Sequence, residues 1–202
     1  MTVKVLGISG SPHRHGNTET LLDSFLDGAR EAGAVVDKIV ISEINFTTCR
    51  GCNACHKTGD CVLKDDFLDI FAKIEQADCL VIASPIYSMG ITAELKSLID
   101  RAQYLWARKF VVKNLSYSPG HMHRHKGFFL STAGLPLKDV FDYALPTIRA
   151  FFNGVGFEYS GNIVFNNMDE VGGIKKHSTA LRTTRQKGGE VVRELEKILA
   201  GT

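Results

Sequence analysis

Short apolar runs alternate along this chain with segments whose apolar residues return every third or fourth position, the two periods that separate buried strands from amphipathic helices. Residues 3–8 read as a first strand. Residues 18–30 read as the helix after it, with Leu21, Leu22, Phe25 and Ala29 on one stripe and Gly33 just past its end. A second strand is expected at 35–41. Phe67, Ile70, Phe71 and Ile74 then repeat at helical spacing, with Asp65 or Asp66 placed to cap that helix. A short buried strand at 79–83 precedes a helix from about 93 to 108, marked by Leu95, Leu98, Ile99, Ala102 and Leu105. The pattern continues with a strand at 127–131, a helix at 140–152 and a strand at 157–165. Val191, Leu195, Ile198 and Leu199 stripe the last helix.

Five strand–helix units in sequence imply an α/β fold: a doubly wound, parallel five-stranded sheet between two helical layers. No repeat, low-complexity tract or linker interrupts it, so residues 1–202 are expected to form one domain, with a cysteine-rich excursion at 45–64 and a basic loop at 109–126. Periodicity leaves the strand order open. The flavodoxin-like order 2-1-3-4-5 would suit a mononucleotide at the C-terminal ends of strands one, three and four.

Composition narrows the reading only slightly. With 202 residues, 44% of them apolar and 23% charged, the chain can bury a sizeable core without disulfide staples. Lys and Arg number 24 against 22 Asp and Glu, too even a balance to suggest a nucleic-acid face or an anionic membrane patch. MTVKVLGISGSP lacks the apolar stretch of a signal peptide, and no run of about 18 apolar residues suggests a membrane span. A cytoplasmic location is expected. In that reducing compartment, clustered thiols are more often metal ligands or redox groups than structural disulfides.

Three loops follow strands at one end of the expected sheet. The first, Ser9-Gly10-Ser11-Pro12-His13-Arg14-His15-Gly16-Asn17-Thr18, suits an anion cradle: free amides and the helix dipole favour phosphate, Ser9, Ser11, Asn17 and Thr18 add donors, and His13 or Arg14 adds positive charge. The same residues also suit an ordinary turn that caps the helix. Neither G-x-G-x-x-G nor a G-K-[ST] ending is present, which argues against a kinase or NTPase. In the second loop, Pro85, Ile86, Tyr87, Ser88, Met89 and Gly90 offer backbone hydrogen bonds and an apolar wall to a flat ring, although Tyr87 also reads as a packed aromatic. The third, Ser131-Thr132-Ala133-Gly134, has small residues that would admit a ring close to the backbone.

In content and order, GISGSPHRHGNTETLL, SPIYSMGITAELKSLIDR and STAG resemble the flavodoxin-like NAD(P)H-dependent FMN reductase family. The resemblance implies noncovalent FMN, its phosphate near Ser9, Ser11, Asn17 and Thr18 and its ring near residues 85–90 and 131–134. The family often has Arg directly after the Ser-Pro. Here His13 stands in that place and Arg14 follows one later.

Between strand two and the next helix lies a C-x2-C-x2-C-x5-C run, Cys49, Cys52, Cys55 and Cys61. Two-residue gaps let a tight turn present successive thiolates to one centre, and four soft sulfur ligands suit an iron-sulfur cluster or zinc. Free or disulfide-forming thiols are the third possibility. The run, placed before Asp-Asp in such a domain, resembles the iron-sulfur flavoproteins of anaerobic microbes. That resemblance implies a [4Fe-4S] cluster on these four cysteines, close to the flavin of a partner subunit, and hence a homodimer or homotetramer. Cys79, inside an apolar strand, reads as a small core hydrophobe.

His121, His123 and His125 alternate and would lie on one side of an extended, solvated basic loop. His56 would serve as a neighbour of the cysteine centre rather than as a ligand. Residues 166–173 read as a Gly-containing loop, a lid, a dimer contact or neither. The function expected is an FMN-dependent oxidoreductase, with electrons from NAD(P)H or a small carrier such as ferredoxin and O2 or peroxide as a possible acceptor. No acid, base or nucleophile is demanded of the chain. A cluster-free FMN or quinone reductase and a non-enzymatic redox sensor or electron carrier are the alternatives.

Overall fold

In the computed structural model, which describes residues 2–201, five strands form one parallel sheet in the order β2-β1-β3-β4-β5. They are β1 (Lys4–Ser9), β2 (Val35–Val40), β3 (Cys79–Pro85), β4 (Lys126–Thr132) and β5 (Glu158–Phe165). The helices are α1 (Asn17–Glu31), α2 (Cys55–Thr58), α3 (Phe67–Glu75), α4 (Ala93–Arg101), α5 (Gln103–Phe110), α6 (Pro119–Arg124), α7 (Leu145–Val155), α8 (Met168–Val171) and α9 (Ala180–Ala200).

The three central strands are covered on both faces and are therefore apolar along most of their length, whereas the edge strand β5 alternates between exposed and half-buried positions. Successive β3 residues point to opposite faces. Leu80 and Ile82 join Phe67, Phe71, Phe129 and Phe152 under α3, α4 and α7, while Val81 and Ala83 join Leu22, Phe25, Val191 and Leu195 under α1 and α9. Helices α1 and α9 touch backbone to backbone: a Cβ at Gly28 would stand 1.8 Å from the Arg185 carbonyl oxygen, and one at Gly188 would stand 2.1 Å from that of Phe25. No helix among the described residues is long and apolar enough to cross a membrane.

Three expectations change in detail, and a fourth is decided between its two alternatives. The helix expected at 93–108 turns at Ala102, directly after the buried Arg101, and continues as α5. The helix expected from residue 140 begins at Leu145, with Pro146 in its first turn where a missing N–H is tolerated. Asp65, not Asp66, accepts the Phe67 N–H at 3.3 Å at the start of α3. The expected extended run of His121, His123 and His125 is instead the end of α6. That turn stacks His121 on His125 with ring centres 3.9 Å apart, continues the stack to Tyr117 at 5.0 Å, and leaves His123 out of it.

Candidate functional site

The parallel sheet brings the ends of β1, β3 and β4 side by side, pairing Ser9 with Ala83 and Ser84 with Ser131. Hydrogen bonds then lock the three loops to one another. Gly10 N donates to the Ala83 carbonyl at 2.7 Å, Ile86 N to that of Thr132 at 3.0 Å, and Ser131 Oγ to that of Ser84 at 2.7 Å. Thr92, fully buried, caps α4 by accepting from Leu95 N at 3.3 Å, donates its hydroxyl to the Gly10 carbonyl, and donates its own N–H to Ser84 Oγ at 3.1 Å. Thr18 Oγ1 and Thr132 Oγ1 meet at 2.7 Å.

Loop one is held by a buried acid. Glu19 has no exposed side-chain surface. It accepts from the His15 N–H at 2.6 Å, from Arg14 Nε at 3.2 Å and Nη2 at 3.1 Å, and from Lys38 Nζ at 3.1 Å. Burial alone would raise its pKa, but Arg14, the His15 amide and Lys38 outweigh burial and hold it at about 2. Arg14 also pairs with Glu43, so its guanidinium is spent on two carboxylates. Ser11 Oγ and the His13 backbone close a small turn, Ser11 Oγ donating to the His13 carbonyl at 3.1 Å and accepting the His13 N–H at 3.2 Å. Gly16 gives the N-terminus of α1 no side-chain cap, so no capping side chain claims its first amides.

In loop two, Tyr87 and Gly90 exchange backbone hydrogen bonds at 2.9 and 3.0 Å around Ser88 and Met89, whose φ angles of 49° and 65° form a tight left-handed turn. Neither residue is the glycine or asparagine that such φ values favour, so the turn carries backbone strain. Tyr87 stays half exposed at the rim.

Between the loops lies a cleft of about 210 Å³ lined by Ser11, His13, Gly16, Asn17, Thr18, Pro85, Ile86, Tyr87, Thr132, Ala133, Gly134, Met168 and Asp169. Ten of these were expected from sequence at the sheet end. Ser9 lies beneath the cleft, fully buried and with an unpartnered Oγ; Ser131 is consumed by its bond to Ser84; Ser88, Met89 and Gly90 form the loop tip; Arg14 is turned to its carboxylates. Gly16, Met168 and Asp169 were not singled out. Met168 N and Asp169 N donate to the carbonyls of Ala133 and Gly134 at 3.1 and 3.2 Å, which brings residues 166–173 down as one wall. A Cβ at Gly134 would stand 2.4 Å from Asp169 Oδ2, so a glycine there keeps the wall close. A larger hollow of about 350 Å³ between α4, α5 and α7 lies away from these loops, and its polar groups pair with one another as Lys96–Asp100 and Lys109–Asn153.

This cleft has the makings of an FMN site. An orphaned buried hydroxyl and an uncapped helix N-terminus suit a phosphate, and Pro85, Ile86 and the glycine-floored Ala133–Gly134 turn suit a flat ring.

The cysteine excursion is pinned at its base. Asn45 N donates to Asp66 Oδ2 at 3.2 Å and Thr47 N to Asp65 Oδ2 at 2.9 Å. Gly51 and Asn53 take φ angles of 62° and 57°, which curl the chain so that Cys49, Cys52, Cys55 and Cys61 line one cavity with Arg101 and Tyr104. All four are free thiols, Cys49 and Cys52 exposed, Cys55 and Cys61 half-buried. Burial pushes the Cys55 thiol up, and its three thiol neighbours push it further. The cavity thus offers four soft donors and no carboxylate, a donor set that suits an iron-sulfur cluster. Among the described residues, no three His, Cys, Asp or Glu side chains converge on a position able to hold a single metal ion. Cys79 lies wholly in the core, where burial pushes its thiol up and keeps it unreactive.

Comparison with known proteins gives four findings. The family model described as NADPH-dependent FMN reductase matches residues 3–134. The chain is 37% identical over 112 residues to an iron-sulfur flavoprotein of Methanosarcina thermophila, a match that spans 55% of this chain and 59% of that one. It is also 27% identical over 202 residues to an iron-sulfur flavoprotein of Archaeoglobus fulgidus, covering 96% of this chain and 98% of the relative. Among solved structures, an NAD(P)H:quinone oxidoreductase from Methanothermobacter marburgensis superposes with a TM-score of 0.67 at 18% identity, over 95% of this chain and all of that one, which speaks for the fold.

Proposed function

This chain belongs to the NADPH-dependent FMN reductase family, and from that premise we propose that it is an FMN-dependent oxidoreductase of the iron-sulfur flavoprotein type, carrying a [4Fe-4S] cluster. The observation that carries the proposal is the pairing, in one domain, of the three-loop cleft with a cavity walled by four thiols. FMN, when bound, takes up two electrons and can release them singly. The uncapped amides of α1, with Ser11, Asn17 and Thr18, hold its phosphate. Pro85, Ile86 and the 132–134 turn would hold the ring and supply an apolar wall that limits water on that side of the cleft.

Because Arg14 of loop one and Lys38 of β2 are both committed to carboxylates, the backbone amides of α1 would hold the phosphate, with Glu19 holding the loop before them through the His15 N–H. Cys49, Cys52, Cys55 and Cys61 hold the cluster. Four thiols, with no histidine or carboxylate in the same wall, form a donor set that suits an iron-sulfur core. The electron donor is NAD(P)H or a small carrier such as ferredoxin, and a carrier, O2 or peroxide accepts. A second copy of the chain covers the cleft rim, where Tyr87, Leu135, Leu137 and Tyr143 expose apolar surface.

The test is the absorption spectrum of protein purified without oxygen, with iron, acid-labile sulfide and flavin counted on the same sample and NAD(P)H oxidation followed beside it. One flavin and about four irons per chain are expected. Flavin without iron after anaerobic reconstitution leaves a plain FMN reductase with redox-active thiols. Absence of flavin overturns the reading of the cleft.

A further inference from the structure

The excursion that carries the four thiols leaves the sheet near Thr47 and returns at Asp65, and a single buried cation ties both points together. Arg101, at the end of α4, has no exposed side-chain surface. Its Nη1 donates to Asp65 Oδ2 at 2.7 Å and to the Thr47 carbonyl, its Nη2 donates to Asp65 Oδ1 at 3.0 Å, and the guanidinium lies 4.1 Å from the centre of the Phe67 ring. The Nε–H has no partner, although it is buried. Arg101 lines the cysteine cavity, with Cys61 beside its charge.

A buried donor left unpaired carries a desolvation penalty, which a fold retains only when something else satisfies it. Asp65 and Thr47 occupy the Nη side of the guanidinium, so the Nε edge is the one left over, in a cavity that the four thiols line together with Arg50, Asn53, Gln103 and Tyr104. Reduction adds a negative charge to whatever the thiolates hold, and a fixed cation in a poorly solvated cavity favours that charge.

We propose that Arg101 is the positioning residue of the cysteine centre: it clamps the two ends of the excursion and presents a buried positive charge and a free Nε–H to the sulfur-ligated group, making that group easier to reduce. This rests on the cluster reading of the proposed function.

The experiment is a redox titration, followed by electron paramagnetic resonance, of the anaerobically reconstituted full chain, with iron and flavin counted on each sample. Arg101→Gln is expected to load iron and flavin but to shift the reduction equilibrium about tenfold toward the oxidised form, about 59 mV for one electron. Arg101→Lys, which keeps the charge and loses the fork, should fall between it and the native chain. Asp65→Asn, which removes the counter-charge, should shift the equilibrium the other way, and it serves if Arg101→Gln fails to fold. A purely structural clamp would change iron content or thermal stability and leave the potential of the loaded protein in place. Unchanged potentials in Arg101→Gln, or in Asp65→Asn where only that variant folds, overturn the assignment. A native chain that takes up no iron overturns the cluster reading itself, and the role of Arg101 with it.

Discussion

Replacing Glu19 by Gln isolates the one buried charge that organises the first loop. The native carboxyl is held at about 2, against an ordinary value of 4.5, by Arg14, the His15 amide and Lys38, in spite of burial. At about 1.4 kcal/mol for each tenfold change in acidity, that depression corresponds to about 3 kcal/mol of stability at neutral pH. Arg14 and Lys38 keep 33% and 28% of their side-chain surface exposed, and solvent screening trims the expectation to about 2–3 kcal/mol. The sign follows from the depressed pKa: the contribution is complete above the unfolded value of 4.5 and is lost as pH falls toward 2. At about pH 3, less than half of it should remain. Urea denaturation of the native and Glu19→Gln chains, both flavin-free, at neutral pH and near pH 3, measures the gap. It should be widest at neutral pH and should narrow in acid. A gap of equal size at both pH values would refute the electrostatic account and leave only a packing role for Glu19.

The remaining predictions concern the close contacts around the cleft and the core. Gly134→Ala drives a Cβ into the Asp169 carboxylate and should weaken FMN binding at least about tenfold, read by flavin fluorescence quenching, since a tenfold loss requires only about 1.4 kcal/mol. Thr92→Val removes the α4 cap and the hydroxyl that ties α4 to Gly10; a loss of about 2 kcal/mol in chemical denaturation is expected, with weaker flavin binding. Gly28→Ala places a Cβ 1.8 Å from a carbonyl oxygen of α9 and should destabilise the fold by about 3 kcal/mol or more, whereas Gly154→Ala, which meets nothing, should leave the melting temperature nearly unchanged.

Much of this molecule could be read from local chemistry. Strands buried on both faces are continuous apolar runs, and helices covering them carry apolar stripes, so all five strands fall within one or two residues of their expected places, and the strand ends assemble the expected loops. The same holds for the cysteines, whose two-residue gaps are a property of the chain itself. Tertiary structure decided what depends on residues far apart in sequence. Arg14 lies two positions after the Ser-Pro and could be read as a phosphate-binding cation, yet Glu19 and Glu43 claim it, because a charge takes the partner that the fold brings near. Met168 and Asp169 reach the cleft only because the chain after β5 folds back onto the 133–134 turn. His121 and His125 stack because α6 places them one turn apart, and nothing in an alternating pattern distinguishes that from a strand. Arg101 sits on a helix stripe like any surface-adjacent basic residue, and its buried fork to Asp65 exists because α4 packs beneath the cysteine excursion. Periodicity reports which face of an element is buried; it carries no information about which distant polar group waits on the other side of that burial, and it is there that the tertiary structure made its decisions.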